Sequence, residues 1–439
     1  MFTYYIGLGI RGVKRNWALS LLIVLASAIG ISASMTALTV FRAMSSDPIP
    51  NKSSKLFTPQ IDIWGPEHNA KNSSSGDSLP EQLSYTDASG LMIESPASLK
   101  AAMYSAEVPL TPPDSLRQPF NVTVRATYTS FFKMFDVPYK FGTPWSDADD
   151  ANHAEVVVIS REINDKVFGG TNSVGQSLHL DNRSYRVVGV LDYWQPLPKF
   201  YDLNQFKYGT SEDVFMPFTR AIDAHLKSTG NFNCASAVGD GWEGRIHSDC
   251  VWIQFWAWLP NAGSVEKYRE FLNGYAADQQ RLGRFRWSPH TNLQDVRHWL
   301  SSQRVVTDEI RILLLVSFSF LFVCLLNAMG IMLARLMSRA SEISVRRALG
   351  ANRKAIFVQY LVESGVVGFA GSLLGLLFTL LGLLGLRIAL SVELSRLTYL
   401  DLYDVGIAVV SGIAATVFAG LYPTWRASQI PPGLQLKAK

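Results

Sequence analysis

The sequence predicts an α-helical membrane protein with four transmembrane helices, one before and three after a large α+β extracytoplasmic domain. Three observations predict this fold class. Charged residues are absent from four windows of 21 to 26 positions, basic residues cluster beside these windows, and the long segment after the first window contains short β-branched runs bounded by turn residues. The averages of 17% charged residues and a net charge of +4 conceal this segregation.

The four uncharged windows predict the membrane helices, because about 20 apolar residues are enough to cross a bilayer. The second window is apolar on every face, whereas a soluble amphipathic helix would show a polar stripe. The first window could be a cleaved signal peptide, but it exceeds the roughly 7–15 apolar residues of such a signal. A retained helix is therefore favoured. The windows are Asn16–Phe41, Ile312–Ala334, Ser364–Leu386 and Val405–Trp425.

Basic residues predict the orientation, since Lys and Arg near helix ends favour the cytoplasm. Between positions 335 and 359 there are six basic residues and one acidic residue, Glu342. Segment 43–309, in contrast, has 24 Lys and Arg and 31 Asp and Glu, a net of 24 − 31 = −7. Both termini are expected in the cytoplasm. The predicted divisions are 1–42 (cytoplasmic segment and first helix), 43–309 (extracytoplasmic domain), 310–334 (second helix), 335–363 (cytoplasmic loop), 364–390 (third helix), 391–404 (short outer loop), 405–425 (fourth helix) and 426–439 (cytoplasmic tail).

Short elements are predicted within the extracytoplasmic segment. Glu155–Ser160 and Ser184–Leu191 are β-branched runs typical of strands, and Arg161–Phe168 between them is expected to form a short helix. Gly169-Gly170 then predicts a sharp exit with positive φ. Cys250–Leu259 is expected to form a strand covered on both faces.

The cysteines agree with this topology. Cys234 and Cys250 lie 16 positions apart in the outer segment, where an oxidising compartment favours a disulfide, worth about 3 kcal/mol for a loop of that size. The alternative is two reduced or metal-bound thiols. His247 lies nearby, but one His and two Cys do not have the spacing of a zinc site.

No catalytic, cofactor or metal site is expected in the sequence. It contains no GxxxxGK[ST] phosphate loop, no HExxH and no GxSxG. Ser130 and Lys133 match SxxK formally, but the companion motifs are missing and a chance match is favoured. No run of five Lys or Arg suggests nucleic acid.

The loop 335–363 predicts a helix–turn–helix. Gly350 is placed to end the first helix with positive φ, and Asn352 can cap the second. Such a unit could act as a lever at the bilayer surface. Alternatively, its basic residues only fix the topology and contact anionic lipid.

These residues resemble a known family. Glu342–Ala351, followed by Gln359 and Glu363-Ser364, resembles the signature of the MacB/FtsX family of ABC-transporter permeases, and Val156–Leu191 with Phe131–Asp150 is similar to its MacB-type periplasmic core. The resemblance assigns ATPase coupling to Glu342, Ile343, Arg346, Arg347, Leu349, Gly350 and Ala351. It assigns the closing motif of the family to Gly420, Tyr422, Pro423, Arg426, Ala427 and Pro431.

The resemblance implies partners and a location. The expected partners are a cytoplasmic ABC ATPase dimer that binds ATP and Mg²⁺, and a second permease subunit in a homodimer or heterodimer. Since only a short segment precedes the first helix, the ATPase is expected on a separate polypeptide. The protein is expected in the bacterial inner membrane, and Gly371 and Gly375 form a small-xxx-small pair for helix packing.

The expected function is mechanotransmission, in which a partner ATPase moves the cytoplasmic lever and reshapes the periplasmic domain. Export of a drug, peptide or other amphiphile is the leading interpretation, with a periplasmic adaptor and an outer-membrane channel as further candidate partners. Lipoprotein extraction is a second transport interpretation. An FtsX-like regulator of cell-wall hydrolases, which transports nothing, is the alternative from a different class.

Overall fold

The computed structural model describes residues 17–65, 79–113, 118–204, 207–389 and 402–429. The chain divides into two compact units: a helical unit (residues 1–45 and 306–439) and a mixed α/β unit (residues 46–305). Pro431 and the basic residues before the first helix lie outside the described residues.

The helices are numbered in chain order. They are α1 (Trp17–Ser45), α2 (Tyr85–Glu94), α3 (Ser130–Met134), α4 (Asp147–Ala151), α5 (Arg161–Phe168), α6 (Phe218–Asp223), α7 (Gly241–Ile246), α8 (Ala262–Arg281), α9 (Val296–Ser302), α10 (Asp308–Ser338), α11 (Ala340–Ala348), α12 (Arg353–Ala389) and α13 (Leu402–Ser428). The strands are β1 (Leu56–Ile61), β2 (Leu99–Thr111), β3 (Phe120–Thr127), β4 (Tyr139–Gly142), β5 (Val156–Ile159), β6 (Ser177–Leu180), β7 (Arg183–Leu191), β8 (Val214–Pro217), β9 (Gln254–Trp258) and β10 (Thr291–Asp295).

Within the described residues, four helices are long and apolar enough to cross a membrane: Trp17–Ser45, Asp308–Ser338, Arg353–Ile388 and Val405–Ser428. One precedes the mixed α/β unit and three follow it, which confirms the predicted arrangement. The boundaries differ from the uncharged windows. Helix α10 continues through Arg335 to Ser338, and α12 already begins at Arg353. Charged side chains near a helix end can pair or reach water, so a helix does not stop where its uncharged run stops.

Helices α12 and α13 pack closely through glycines that face hydroxyl side chains. Ser364, Ser372 and Thr416 face Gly420, Gly412 and Gly368 respectively, and a Cβ added to any of these glycines would overlap its partner. Positions 364, 368 and 372 therefore oppose 420, 416 and 412, which defines an antiparallel register. We call these three pairs the glycine–hydroxyl zipper.

The predicted pair Gly371 and Gly375 lies on another face of α12, against α1. A Cβ on Gly371 would lie 3.2 Å from the Ser27 Cβ, and one on Gly375 would lie 3.1 Å from the Ala28 carbonyl oxygen. Helix α12 thus uses glycines to approach both α1 and α13.

The described strands of the mixed α/β unit form a ten-stranded sheet in the order β10-β1-β9-β2-β3-β8-β5-β7-β4, with β6 pairing β2 and β7. Neighbours pair antiparallel except for β3 with β8 and β5 with β7. Strand β5 is buried at all four residues, as expected for a short β-branched strand covered on both faces.

Several local predictions match the structure of this unit. Helix α5 has the predicted bounds, and its C-cap Gly169 (φ 67°) and the next residue, Gly170 (φ 79°), both have positive φ. Cys234 and Cys250 are joined by a disulfide. The predicted strand Cys250–Leu259 is shorter, because only Gln254–Trp258 makes continuous ladder pairs.

A buried ionic network is centred on Glu212. The Arg125 guanidinium on β3 donates to Glu212 and, at 2.6 Å, to Asp202, while Lys199 Nζ lies 2.5 Å from the same Glu212 carboxylate. The Tyr201 hydroxyl donates to Glu212 at 3.0 Å. Two cations therefore balance two anions in the interior, which offsets the large cost of burying each charge.

Candidate functional site

The candidate site is the short helix α11 together with the helix ends that hold it. Helix α10 ends at Ser338, and Arg339 leaves the helical conformation with φ −101° and ψ 13° before α11 begins at Ala340. Arg339 is therefore the joint between the two helices. Its carbonyl accepts from the Ile343 N–H, so the new helix starts without a gap in hydrogen bonding.

The other end of α11 is closed by a Schellman motif. The Gly350 N–H donates to the Arg347 carbonyl, the Ala351 N–H donates to the Arg346 carbonyl, and Gly350 has φ 99°. The Asn352 side chain then accepts from the Lys354 N–H at the start of α12. The turn from α11 into α12 thus has few conformational choices.

One face of α11 is buried in the helical unit. Ile343 is 1% exposed and belongs to an apolar cluster with Met332 and Leu336 of α10 and with Ile356 and Tyr360 of α12. The neighbouring Ala340 and Ser344 are also buried. This face follows helical spacing, so it attaches the short helix to the ends of both long helices.

Two large apolar side chains are exposed at the C-terminal end of α11. Leu349 is 83% exposed and Val345 is 50% exposed, although both are large apolar side chains. They are four residues apart and therefore lie on one side of the helix end. Sequence reasoning included Leu349 but missed Val345, and the i, i+4 pair is the signal that could have found it.

The two predicted coupling arginines are engaged within the chain. The Arg346 guanidinium pairs with Glu342 at 2.6 Å and contacts the Gln359 Oε1 at 3.4 Å. Arg347 is half-buried and also has an intramolecular partner. The family resemblance assigned both guanidinium groups to ATPase coupling. The structure shows that Arg346 also attaches α11 to α12.

A buried ion triad lies behind the joint. Glu363 of α12 accepts from the Arg335 guanidinium of α10, and its Oε1 lies 3.7 Å from Arg339 Nη1. All three side chains are at most 9% exposed. Ionisable groups among membrane helices are costly and usually serve a function. No local sequence pattern predicted that these three residues meet, because Arg335 and Glu363 lie at opposite ends of the predicted loop 335–363.

The described residues of the closing motif lie on α13. Gly420 faces Ser364 in the zipper, Pro423 and Ala427 are buried, and Tyr422 and Arg426 are exposed. The motif therefore packs one side of α13 against the helical unit. Among the described residues, no group of three or more His, Cys, Asp or Glu side chains could hold a metal ion.

The fold and site together define a class of protein: a chain with four apolar helices long enough to span a membrane, a short helix between the second and third of them, and a large domain inserted after the first. Family models identify the class further. The model described as "MacB-like periplasmic core domain" matches residues 20–266, and the model described as "FtsX-like permease C-terminal" matches residues 314–432. The chain belongs to the MacB/FtsX family of ABC-transporter permeases.

Curated relatives have low identity. The macrolide export ATP-binding/permease protein MacB of Wolinella succinogenes is 23% identical over 73% of this chain and 44% of its own length. The pyoverdine export ATP-binding/permease protein PvdT of Pseudomonas entomophila is 25% identical over 69% of this chain and 41% of its own length. The chain thus spans less than half the length of these relatives.

A solved structure also resembles the chain. The crystal structure of the periplasmic region of MacB from Actinobacillus actinomycetemcomitans matches 60% of this chain and 100% of its own, with 14% identity and a TM-score of 0.37. This similarity is too low to transfer residue positions.

Proposed function

We propose that this chain is a permease subunit that couples ATP hydrolysis by a separate cytoplasmic ATPase to a conformational change of the mixed α/β unit. The exposed apolar end of α11 carries this proposal. Membership of the family implies an ABC ATPase partner, and α11 presents Val345 and Leu349 while its other face is anchored. An exposed apolar pair on a helix whose other face is buried is suited to fill an apolar pocket on a partner protein.

The proposal includes an orientation and an oligomeric state. Helix α11 and both termini face the cytoplasm of a bacterial inner membrane, and the mixed α/β unit lies in the periplasm. The basic residues around α11 support this orientation through the preference of Lys and Arg for cytoplasmic flanks. Two permease subunits pair with two ATPase subunits, which hold ATP and Mg²⁺.

The proposed task is export. Two relatives are named for the export of macrolides and of pyoverdine. These named cargoes differ from each other, and the chain is 23% and 25% identical to these two relatives over the aligned residues. We therefore propose only the class of the cargo, which is an amphiphilic drug, peptide or other amphiphilic compound. The cargo is taken up from the periplasmic side and passes through an adaptor and an outer-membrane channel.

Replacing Leu349 by Asp tests the coupling assignment. The full chain, expressed with its cognate ATPase and purified in mild detergent, is expected to lose at least about tenfold in ATPase affinity, because a charge replaces an apolar anchor. Co-purification and titration of the ATPase measure this change.

The matched control is Leu282→Asp. Leu282 is 76% exposed but follows α8 in the mixed α/β unit, on the other side of the membrane in this proposal. It should leave ATPase binding unchanged. Wild-type affinity for Leu349→Asp, or no ATPase bound to the wild-type chain, would contradict the proposed function.

A further inference from the structure

We propose that Glu363 is a positioning residue that holds the α10–α11 joint against α12, so that a displacement of α11 moves the ends of α10 and α12 together. The arrangement is called the clasp and consists of Arg335, Arg339 and Glu363. This inference rests on the proposed function and assigns the residues that transmit the motion within the permease.

The clasp joins three elements through one carboxylate. Arg335 comes from the last turn of α10, Arg339 is the joint itself, and Glu363 lies ten residues after the start of α12. Arg335 is 3% exposed, Glu363 is 7% exposed and Arg339 is 8% exposed. Each charge is thus held away from water. In this buried environment the attraction between opposite charges is much stronger than at the protein surface.

The position of Arg339 explains how the clasp restrains bending between α10 and α11. A residue with non-helical backbone between two helices is where a hinge would bend. Here the side chain of that residue lies 3.7 Å from a carboxylate on a third helix. Bending at the joint would separate a buried guanidinium from its counter-ion, which is strongly unfavourable. The joint is therefore held rather than free.

The proposed ATPase-binding residue Leu349 and the joint residue Arg339 lie at opposite ends of α11. Leu349, where the proposed ATPase binds, is ten residues after Arg339, which corresponds to about 15 Å along a helix. Between them, Ile343 is buried against both long helices and Arg346 contacts Gln359 of α12. A push at Leu349 would therefore be carried to α12 as well as to α10.

Helix α12 does not receive this motion alone. Ser364, the residue after Glu363, is the first member of the glycine–hydroxyl zipper and faces Gly420 of α13. Because the zipper allows no added methyl group at its glycines, α12 and α13 have little freedom to slide. The clasp thus connects α11 to three of the membrane helices.

The test uses hydrogen–deuterium exchange on the full chain in nanodiscs with the ATPase that co-purifies with it. Uptake in residues 46–305 is compared without nucleotide and with ATP plus vanadate. The variants are Glu363→Gln and Arg339→Gln. Lys354→Gln is the matched control, because Lys354 is an exposed cation in the first turn of α12 and is not a member of the clasp.

The expected result separates binding from coupling. Both clasp variants should bind the ATPase within about twofold of wild type, while the ATP-dependent change in uptake falls at least about fivefold for Glu363→Gln and by about half for Arg339→Gln. Lys354→Gln should respond as wild type. A residue that only supported folding would change uptake in the helical unit without nucleotide and would not separate binding from response.

Two outcomes would overturn the clasp. One is a wild-type response in both clasp variants. The other concerns the case in which Glu363→Gln loses protection of α10 and α12 from exchange without nucleotide. Arg339→Gln then decides, because it leaves the Arg335–Glu363 pair intact, and a wild-type ATP-dependent change in uptake for Arg339→Gln would contradict the proposal. If the wild-type chain binds no ATPase, the proposed function itself fails, and that result is distinct from both.

Discussion

Two buried carboxylates in the mixed α/β unit have opposite electrostatic environments. Burial raises the pKa of Asp150 to about 7, although hydrogen bonds from the Thr129 N–H and the Trp145 indole act in the other direction. Burial alone would also raise the pKa of Glu212, but the charges of Arg125 and Lys199 outweigh it and lower that pKa to about 2. One group therefore favours its proton in the folded state and the other excludes it.

The stability of this unit is expected to depend on pH through Asp150. An unfolded Asp has a pKa of about 3.9, so between pH 4 and 7 the folded chain keeps a proton that the unfolded chain has lost. The contribution of Asp150 is fully present below pH 4 and decreases as pH rises to 7, by at most about 1.4 kcal/mol per pH unit. Thermal unfolding at several pH values, followed by tryptophan fluorescence, measures the slope.

Asp150→Asn should remove this part of the slope. Asp147→Asn, on the exposed side of the same helix α4, should keep most of it, because the charge of Asp147 raises the pKa of Asp150 less than burial does. The slope is the readout because an amide cannot accept both hydrogen bonds and lowers stability at every pH. Glu212 contributes in the opposite sense: its stabilisation is present above about pH 4.3 and is lost as pH falls toward 2. Equal slopes for wild type and Asp150→Asn would contradict the assignment.

At the scale of elements, the helices were predictable and their contacts less so. Gly350 and Asn352 signalled the ends of α11 and α12, because a positive-φ glycine and a side-chain cap are local requirements. The pairing of Gly368 with Thr416 was not predictable, since it depends on which face of α12 meets α13. Val345 was missed for the same reason: exposure of an apolar residue follows from the faces that its neighbours cover.

Substitutions in the glycine–hydroxyl zipper should distinguish its glycines from others on the same helix. Gly368→Ala places a methyl group against the Thr416 hydroxyl and should destabilise the helical unit by about 1–3 kcal/mol, as overpacking usually does. The melting temperature of the full chain in detergent measures the effect.

Gly365→Ala provides the comparison, three residues earlier on α12. Its added Cβ would have the Val417 Cγ2 at 3.9 Å, an ordinary contact, and alanine is the better helix former. This variant should match or exceed the wild-type melting temperature. Equal destabilisation by both substitutions would argue against the zipper register.

For the whole molecule, the separation of charge along the chain predicted more than any single motif. Four apolar helices and one inserted α/β unit followed from where charged residues are missing. The ionic network of Arg125 and the clasp did not, because their members are distant in sequence and only the folded chain brings them together. Long-range pairs between unremarkable residues carry no local signal.

Orientation is tested by cysteine labelling in cells whose outer membrane is permeabilised and whose inner membrane is intact. The native cysteines are expected to stay silent, because Cys234 and Cys250 form a disulfide and Cys324 is buried. A membrane-impermeant maleimide should label Ala151→Cys in the mixed α/β unit from outside, since periplasmic sites are reached after outer-membrane permeabilisation. Ser341→Cys on α11 should react only after lysis. Both positions are exposed, so the reverse pattern would overturn the proposed orientation.

The zipper hydroxyls also bear on how the protein is made. Ser364, Ser372 and Thr416 each donate to the carbonyl four residues earlier in their own helix, at 2.8 to 3.0 Å. Each segment can therefore leave the translocation machinery and enter lipid with these donors already satisfied, before its neighbour has been synthesised. Glu363 and Arg335 differ, because each is neutralised by a residue on another helix and not by a group in its own helix. Insertion of the hydroxyl-bearing segments can precede assembly, whereas the buried ion pair of Arg335 and Glu363 forms only when α10 and α12 come together.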